Sequence, residues 1–132
     1  MLHVHAPSGH RSDDVAPRDD GLLADVDDAT AAQLRSPARP VVLAPARAPS
    51  PLSCLVAPDN PLVGLLLAYT PVHHLLLEGD MPPLVLTSAN LSGQPIVHRD
   101  DGPSRAVLRR LADGVLGHDR PIDVPCDDSV VR

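Results

Sequence analysis

The sequence predicts an α/β protein in which helices cover a sheet. Short apolar runs alternate with helical segments, and proline, which occurs 16 times in 132 residues, divides the chain into short elements. Hydrophobic residues make up 43% of the chain, enough for one modest core. Phe and Trp are absent and Tyr occurs once, so that core must consist of aliphatic side chains. Alternation of strands with helices is typical of sheets flanked by helices.

The first predicted elements follow an N-terminal arm. Residues 1–20 show no sustained helical or strand period, so we expect them to be poorly ordered and residues 21–132 to form the domain. Asp27 or Asp28 is the expected N-cap of an Ala-rich helix. The run RPVVLAP, bounded by prolines, then predicts a strand. A loop-rich segment follows, with a brief strand expected at Cys54–Val56.

The middle of the chain carries the clearest element signals. Val63–Leu67 predicts a buried strand. A helix should run from Pro71 to about Glu78, because Thr70 can cap it and proline suits its first position. Gly79 is the expected stop. A second buried strand, PLVLT, is expected directly after this helix.

The last third predicts one helix and two short strands. The helix SRAVLRRLADG should be capped by Ser104 and end at Gly114, with an apolar face of Val107, Leu108 and Leu111. The two strands are expected within VLGHDRPIDVPCDDSVVR, around turns. Because the chain stops at Arg132, directly after the apolar run SVV, we expect a fragment of a longer domain.

Charge and hydropathy argue against nucleic-acid-binding and membrane-spanning classes of protein, and cysteine usage indicates the compartment. The net charge is −6 and all eleven basic residues are Arg, without a cluster, which argues against nucleic acid as a partner. No apolar run approaches the ~20 residues of a membrane span, and the N-terminus lacks the pattern of a signal peptide. Cys54 and Cys126 form no CxxC motif. We expect two buried thiols in a cytoplasmic protein, with a disulfide as the alternative.

Three groups of residues could carry chemistry. The loop TSANLSG, at 87–93, offers neutral hydroxyl and amide donors and close backbone approach to phosphate or carboxylate oxygens; the alternative is an ordinary capped turn. DDSVV, at 127–131, could contact Mg²⁺ or a nucleotide phosphate, or form a solvated turn. His73 and His74 would point about 100° apart on a helix, one towards the core or the loop and the other exposed.

Five segments together resemble the YrdC-like domain of the HypF carbamoyltransferases of hydrogenase maturation. They are SPARPVVL, LVAPDNPLVG, LVGLLLAYTPVHHLLL, PLVLTSANLSGQPI and HDRPIDVPCDDSVVR. TSANLSG is shared across the YrdC superfamily, an RNA-binding superfamily that includes the threonylcarbamoyl-AMP synthases. YTPVHHLLL and the C-terminal segment are typical of HypF. The resemblance implies a twisted mixed sheet of YrdC type flanked by helices, present here in truncated form.

The resemblance also implies a reaction, cofactors and partners. In HypF, carbamoyl phosphate is hydrolysed to carbamate, which the YrdC-like domain joins to ATP as carbamoyl-adenylate. The carbamoyl group then passes to HypE, on the route to the cyanide ligands of nickel–iron hydrogenase. The implied ligands are ATP, Mg²⁺ and carbamate or carbamoyl phosphate, with HypE as the protein partner. The implied nucleotide- and substrate-binding residues are Thr87, Ser88, Asn90, Ser92, Asp128 and Ser129.

Departures from the family pattern limit what we expect of the isolated chain. The superfamily pairs its S-x-N motif with an upstream basic K-x-R motif, but this chain contains no Lys. Ala68 replaces a usual proline, and Gln94 stands where Glu is common. We therefore expect weak nucleotide binding and no activity of the chain alone. The alternatives are a half enzyme of threonylcarbamoyl-AMP synthase type, completed by a partner chain, and a non-catalytic module that binds a protein partner.

Overall fold

The structure, a computed structural model, describes residues 2–6, 23–79 and 81–132. The chain divides into two compact units, Met1–Leu86 with Asp128–Arg132 and Thr87–Asp127. The elements in chain order are β1 (Leu2–Ala6), α1 (Asp28–Arg35), β2 (Val41–Pro45), β3 (Leu62–Leu67), α2 (Pro71–Leu76), β4 (Leu84–Thr87), α3 (Gly102–Leu111) and β5 (Val130–Val131).

The described strands form one mixed sheet, which confirms the α/β prediction. Their order is β4-β1-β3-β2-β5. Strand β3 is parallel to β1 and antiparallel to β2, while β5 is parallel to β2. Val42 lies opposite Leu65 and Ala44 opposite Val63, so alternate residues of the two strands share one face. On its other side, β2 pairs with β5, where Val41 lies opposite Val130 and Val42 opposite Val131.

The core of the first unit is aliphatic, as the composition predicts. Four consecutive residues of β3, from Val63 to Leu66, are buried, because this strand has a neighbour on each side. Leu34 of α1 is 1% exposed and belongs to the same cluster as Leu65, together with Leu23, Ala24, Val42, Ala44 and Val63. Fully burying a Leu contributes about 1.5–3 kcal/mol. Leu34, the buried side chain of α1, therefore anchors this helix to the apolar residues of the sheet.

Local caps set the starts of helices α1 and α2, as predicted. Asp27 accepts a hydrogen bond from the backbone N–H of Thr30 at 2.8 Å, and this bond holds the pKa of the Asp27 carboxyl below its usual value. Thr70 caps α2 and Pro71 begins it. Helix α2 ends at Leu76, two residues earlier than expected. Gly79 has φ +78, the left-handed conformation that suits glycine after a helix.

Helix α3 of the second unit begins earlier than predicted. Its N-cap is Asp101, which accepts a hydrogen bond from the backbone N–H of Ser104 at 2.8 Å. Ser104 therefore lies inside the first turn, and the predicted cap was wrong. The helix ends at Leu111, before Gly114. No residue between 87 and 127 is fully buried, and Leu116 is 80% exposed.

Two strand assignments from the sequence differ from the structure. Leu2–Ala6, within the expected N-terminal arm, forms a strand parallel to β3, and its alternation of apolar and His residues is a period-2 signal. Residues 7–22, and with them the expected boundary of the arm, lie outside the described residues. Cys54–Val56 is a turn instead of a strand, because Ser53 accepts hydrogen bonds from the backbone N–H groups of Leu55 and Val56.

The structure corrects three further expectations, two on exposure and one on strand content. Strand β4 is not buried: Val85 is 46% exposed. Cys54 and Cys126 are both free and exposed, so neither the buried-thiol prediction nor the disulfide alternative is right. Of the two strands predicted near the C-terminus, the structure contains β5 only. Each error concerns tertiary surroundings that neighbouring residues do not specify.

Candidate functional site

The loop that follows β4 is held together by the side chain of Asn90. Ser88 Oγ donates a hydrogen bond to Asn90 Oδ1 at 2.5 Å. Asn90 Nδ2 donates to the carbonyl oxygens of Leu91 at 3.1 Å and Gln94 at 2.9 Å. Both ends of the Asn90 amide are thus engaged within the loop. In this arrangement Asn90 shapes the loop, a role that the S-x-N motif alone does not specify.

Two hydroxyls of the same loop remain available to a ligand. Thr87 and Ser92 are exposed, and no hydrogen bond joins either hydroxyl to another described residue. Gly93 has φ +75, a conformation that L side chains rarely adopt. The backbone N–H of Val97 donates to Ala89 O at 2.9 Å and closes the loop. The result is an uncharged turn that presents neutral donors to solvent.

The second group of predicted site residues precedes β5 in the first unit. Ser129 O accepts a hydrogen bond from the backbone N–H of Val41 at 2.8 Å, which ties this segment to β2. The Tyr69 hydroxyl donates to Asp128 Oδ1 at 3.1 Å. Asp128 and Ser129 are both exposed. Because Tyr69 was not among the predicted site residues, this contact adds a new member to the group.

His73 packs beside this contact. Its ring meets the Tyr69 ring edge-to-face, with centroids 4.8 Å apart and planes at 88°. Burial lowers the pKa of His73, and the Asp128 carboxylate opposes that effect. The neutral imidazole is therefore favoured near pH 7. His73 is partly buried and His74 exposed, which confirms that the two rings point in different directions.

The predicted site residues belong to two units. Thr87, Ser88, Asn90 and Ser92 lie in the second unit, whereas Asp128 and Ser129 lie in the first. The structure pairs Ser88 with Asn90 and adds Tyr69 to Asp128. A cavity of about 500 Å³ in the second unit is walled by Val97, Leu108, Val115, Leu116 and Ile122, and none of the predicted site residues lines it.

Two Arg side chains among the described residues are paired with carboxylates. Arg105 makes two hydrogen bonds to the Asp100 carboxylate, at 2.6 and 3.0 Å, and they lower the pKa of Asp100. Arg47 pairs with Asp25 at 2.9 Å.

Across the described part of the chain, no three His, Cys, Asp or Glu side chains cluster as metal ligands would. Among those same residues, no helix has the length and apolar character that a membrane crossing requires.

Comparison with known proteins extends these observations. The model of the Sua5/YciO/YrdC family, described as "Telomere recombination", matches residues 19–132. The carbamoyltransferase HypF of Synechocystis sp. is 49% identical over 100 residues, which are 75% of this chain. HypF of Rhizobium leguminosarum bv. viciae is 49% identical over 117 residues, 83% of this chain. The chain spans 13% and 15% of the length of these two relatives.

Solved structures agree with the sequence comparisons. Full-length HypF in a phosphate- and nucleotide-bound form matches with a TM-score of 0.80 and 29% identity, over 98% of this chain and 19% of that one. HypF of T. kodakarensis matches with a TM-score of 0.81 and 30% identity, over 98% of this chain and 16% of that one. This likeness confirms the YrdC-like fold that the sequence motifs predict. The chain belongs to the Sua5/YciO/YrdC family, and within that family it resembles the corresponding part of the HypF carbamoyltransferases.

Proposed function

We propose that this chain is the nucleotide-binding part of a HypF-type carbamoyltransferase, which joins carbamate to ATP in the cytoplasm during hydrogenase maturation. The observation that carries the proposal is the 49% identity to two HypF proteins over most of the chain. A solved HypF with a matching fold is described as phosphate- and nucleotide-bound, which supports a nucleotide as the ligand class.

In the proposed reaction, a carbamate oxygen attacks the α-phosphorus of ATP. The new P–O bond forms as the bond to the β-phosphate oxygen breaks, so the products are carbamoyl-adenylate and pyrophosphate. Such a transfer depends on alignment and charge stabilisation more than on a protein nucleophile. Magnesium enters as part of the substrate Mg-ATP and offsets the triphosphate charge, which is consistent with the few carboxylates that it needs from a protein.

We assign each of the predicted site residues a role in binding these substrates. The free hydroxyls of Thr87 and Ser92 are suited to donate to phosphate or carbamate oxygens, because no described residue uses them otherwise. Asn90 and Ser88 maintain the loop that presents those hydroxyls. Asp128 and Ser129 supply an acceptor and a further hydroxyl.

Weak binding and no activity of the chain alone are part of the proposal. The chain has no Lys, and Arg105 is engaged with Asp100. Without the Lys of the K-x-R motif, each missing charge-assisted hydrogen bond to a phosphate weakens binding by about 1.5–3 kcal/mol. Carbamoyl transfer to HypE would require the remainder of a HypF-length protein.

Calorimetric titration of the purified chain with Mg-ATP tests the proposal. We expect saturable binding that weakens in the variant Thr87→Val, Ser92→Ala. Ser104→Ala, which removes a hydroxyl outside the loop, is the matched control and should bind as the original chain does. Absence of saturable binding by a chain that is folded by circular dichroism would contradict the proposal.

Exchange of labelled pyrophosphate into ATP identifies the acid substrate. The chain alone should show no exchange with carbamate. When a segment carrying the K-x-R motif of a HypF protein is supplied in trans, carbamate should stimulate exchange. Stimulation by L-threonine instead of carbamate would favour the threonylcarbamoyl-AMP synthase type. Binding to immobilised HypE without nucleotide binding would favour the non-catalytic module.

A further inference from the structure

Tyr69, His73 and Asp128 form a cluster that joins β3, α2 and the segment before β5. Tyr69 follows β3 and its hydroxyl donates to Asp128 Oδ1 at 3.1 Å. The His73 ring stands edge-on to the Tyr69 ring, with centroids 4.8 Å apart. His73 is itself oriented by the cap of α2, where its backbone N–H donates to Thr70 Oγ1 at 3.2 Å. We refer to Tyr69, His73 and Asp128 as the tyrosine cluster.

The tyrosine cluster restrains the segment Asp128–Ser129, which holds the predicted nucleotide-binding residues of the first unit. Asp128 is exposed and adjoins Ser129, whose carbonyl oxygen is fixed to β2 through Val41. The backbone is therefore held at Ser129, while the Asp128 side chain is held by Tyr69. One oxygen of the carboxylate accepts from the phenol. A carboxylate fixed in this way presents its remaining lone pairs in a defined direction.

We propose that Tyr69 is a positioning residue that orients Asp128, and with it the Asp128–Ser129 pair, towards Mg-ATP. The inference rests on the proposed function and extends it to a residue outside the predicted site. His73 supports the phenol ring from its edge, as a neutral imidazole can do without adding charge next to Asp128. Because the hydroxyl of Tyr69 makes the bond to Asp128, we expect the hydroxyl to contribute more to nucleotide affinity than the ring does.

Intrinsic fluorescence tests the contact directly. Tyr69 is the only Tyr and the chain has no Trp, so the emission reports this side chain alone. A hydrogen-bonded carboxylate quenches tyrosine emission. We therefore expect Asp128→Asn to increase the emission, whereas Asp127→Asn, the adjacent carboxylate, leaves it unchanged. Equal emission from both variants would overturn the inference, whatever the chain binds.

Titration with Mg-ATP tests the positioning role. Tyr69→Phe, which removes only the hydroxyl, should raise the dissociation constant about threefold, as expected for one solvent-exposed hydrogen bond. In the Asp128→Ala background, which has no acceptor for the phenol, the same change should have little further effect, because the two side chains act through one bond. Additive effects of the two changes, or an unchanged constant in Tyr69→Phe, would overturn the inference and leave the proposed function standing.

A third outcome separates the two proposals. If the original chain binds no Mg-ATP, the proposed function fails and the positioning role fails with it, even where the fluorescence result confirms the contact. Thermal unfolding of each variant serves as the structural check. For a positioning role, we expect Tyr69→Phe to weaken nucleotide binding and leave the unfolding midpoint unchanged. A lower midpoint without the coupled loss of nucleotide affinity would instead show a merely structural role of the hydroxyl.

Discussion

Replacing Asn90 by Ala should loosen the loop that carries the candidate site. The change removes one accepted hydrogen bond, from Ser88, and two donated ones, to Leu91 and Gln94. A typical protein hydrogen bond contributes about 0.5–1.5 kcal/mol net. With about 0.5 kcal/mol for each bond in this solvent-accessible loop, the three together amount to about 1.5 kcal/mol. That free energy corresponds to roughly a tenfold change in the equilibrium for opening the loop.

Amide hydrogen exchange measures this opening. The backbone N–H groups of Gln94 and Val97 donate across the loop, to Leu91 O and Ala89 O, each at 2.9 Å. Both amides should therefore exchange about ten times faster in Asn90→Ala. Amides of β3 should be unaffected, because that strand lies in the buried sheet of the first unit.

Ser92→Ala is the matched control in the same loop. No hydrogen bond joins the Ser92 hydroxyl to another described residue, so exchange should stay at the original rate. Equal exchange in Asn90→Ala and Ser92→Ala would refute the structural role of Asn90. Nucleotide affinity adds a second contrast: Ser92→Ala should weaken binding without faster exchange, whereas Asn90→Ala should change both.

Three further predictions concern the core, pH and the thiols. Leu65→Ala, at a side chain 2% exposed, should lower the free energy of unfolding in urea by about 2–5 kcal/mol, whereas Leu55→Ala, at 80% exposed, should change it by less than about 0.5; equal effects would contradict the core assignment. Burial holds the pKa of His73 below the usual 6.5, so the unfolded chain takes up the proton more readily and stability should fall as pH drops below about 6.5. His73→Gln should reduce that loss of stability at low pH. Identical pH profiles of stability in the variant and the original chain would refute the lowered pKa of His73. Cys54 and Cys126 should both react with a thiol reagent without denaturant, and a single reactive thiol would contradict their exposure.

Much of the local structure follows from short-range sequence signals. Asp27 and Thr70 cap their helices by accepting hydrogen bonds from N–H groups only three residues away, and Pro71 suits the first helical turn wherever that turn lies. The misplaced cap of α3 shows the limit of such signals. Asp101 and Ser104 are both good caps three residues apart, and only the geometry shows that the carboxylate accepts from the serine N–H.

Family motifs indicate candidate site residues but do not specify which of them form hydrogen bonds within the loop. The motif places Ser88 and Asn90 side by side with Thr87 and Ser92, all of them small and polar. Whether a hydroxyl forms a hydrogen bond within the loop depends on donor–acceptor distances that differ by a few tenths of an ångström. The structure engages Ser88 with Asn90 and leaves the other two hydroxyls exposed.

The sequence by itself determined the α/β class, most of the helices and strands, and the family, because these depend on periodicity, caps and motifs of adjacent residues. Only the tertiary structure decided the place of β1 beside β3, the exposure of Cys54 and Cys126, and the contact of Tyr69 with Asp128. Tyr69 and Asp128 are 59 positions apart. Contacts over such separations arise when the sheet closes the intervening chain, and no local pattern specifies which side chains then meet.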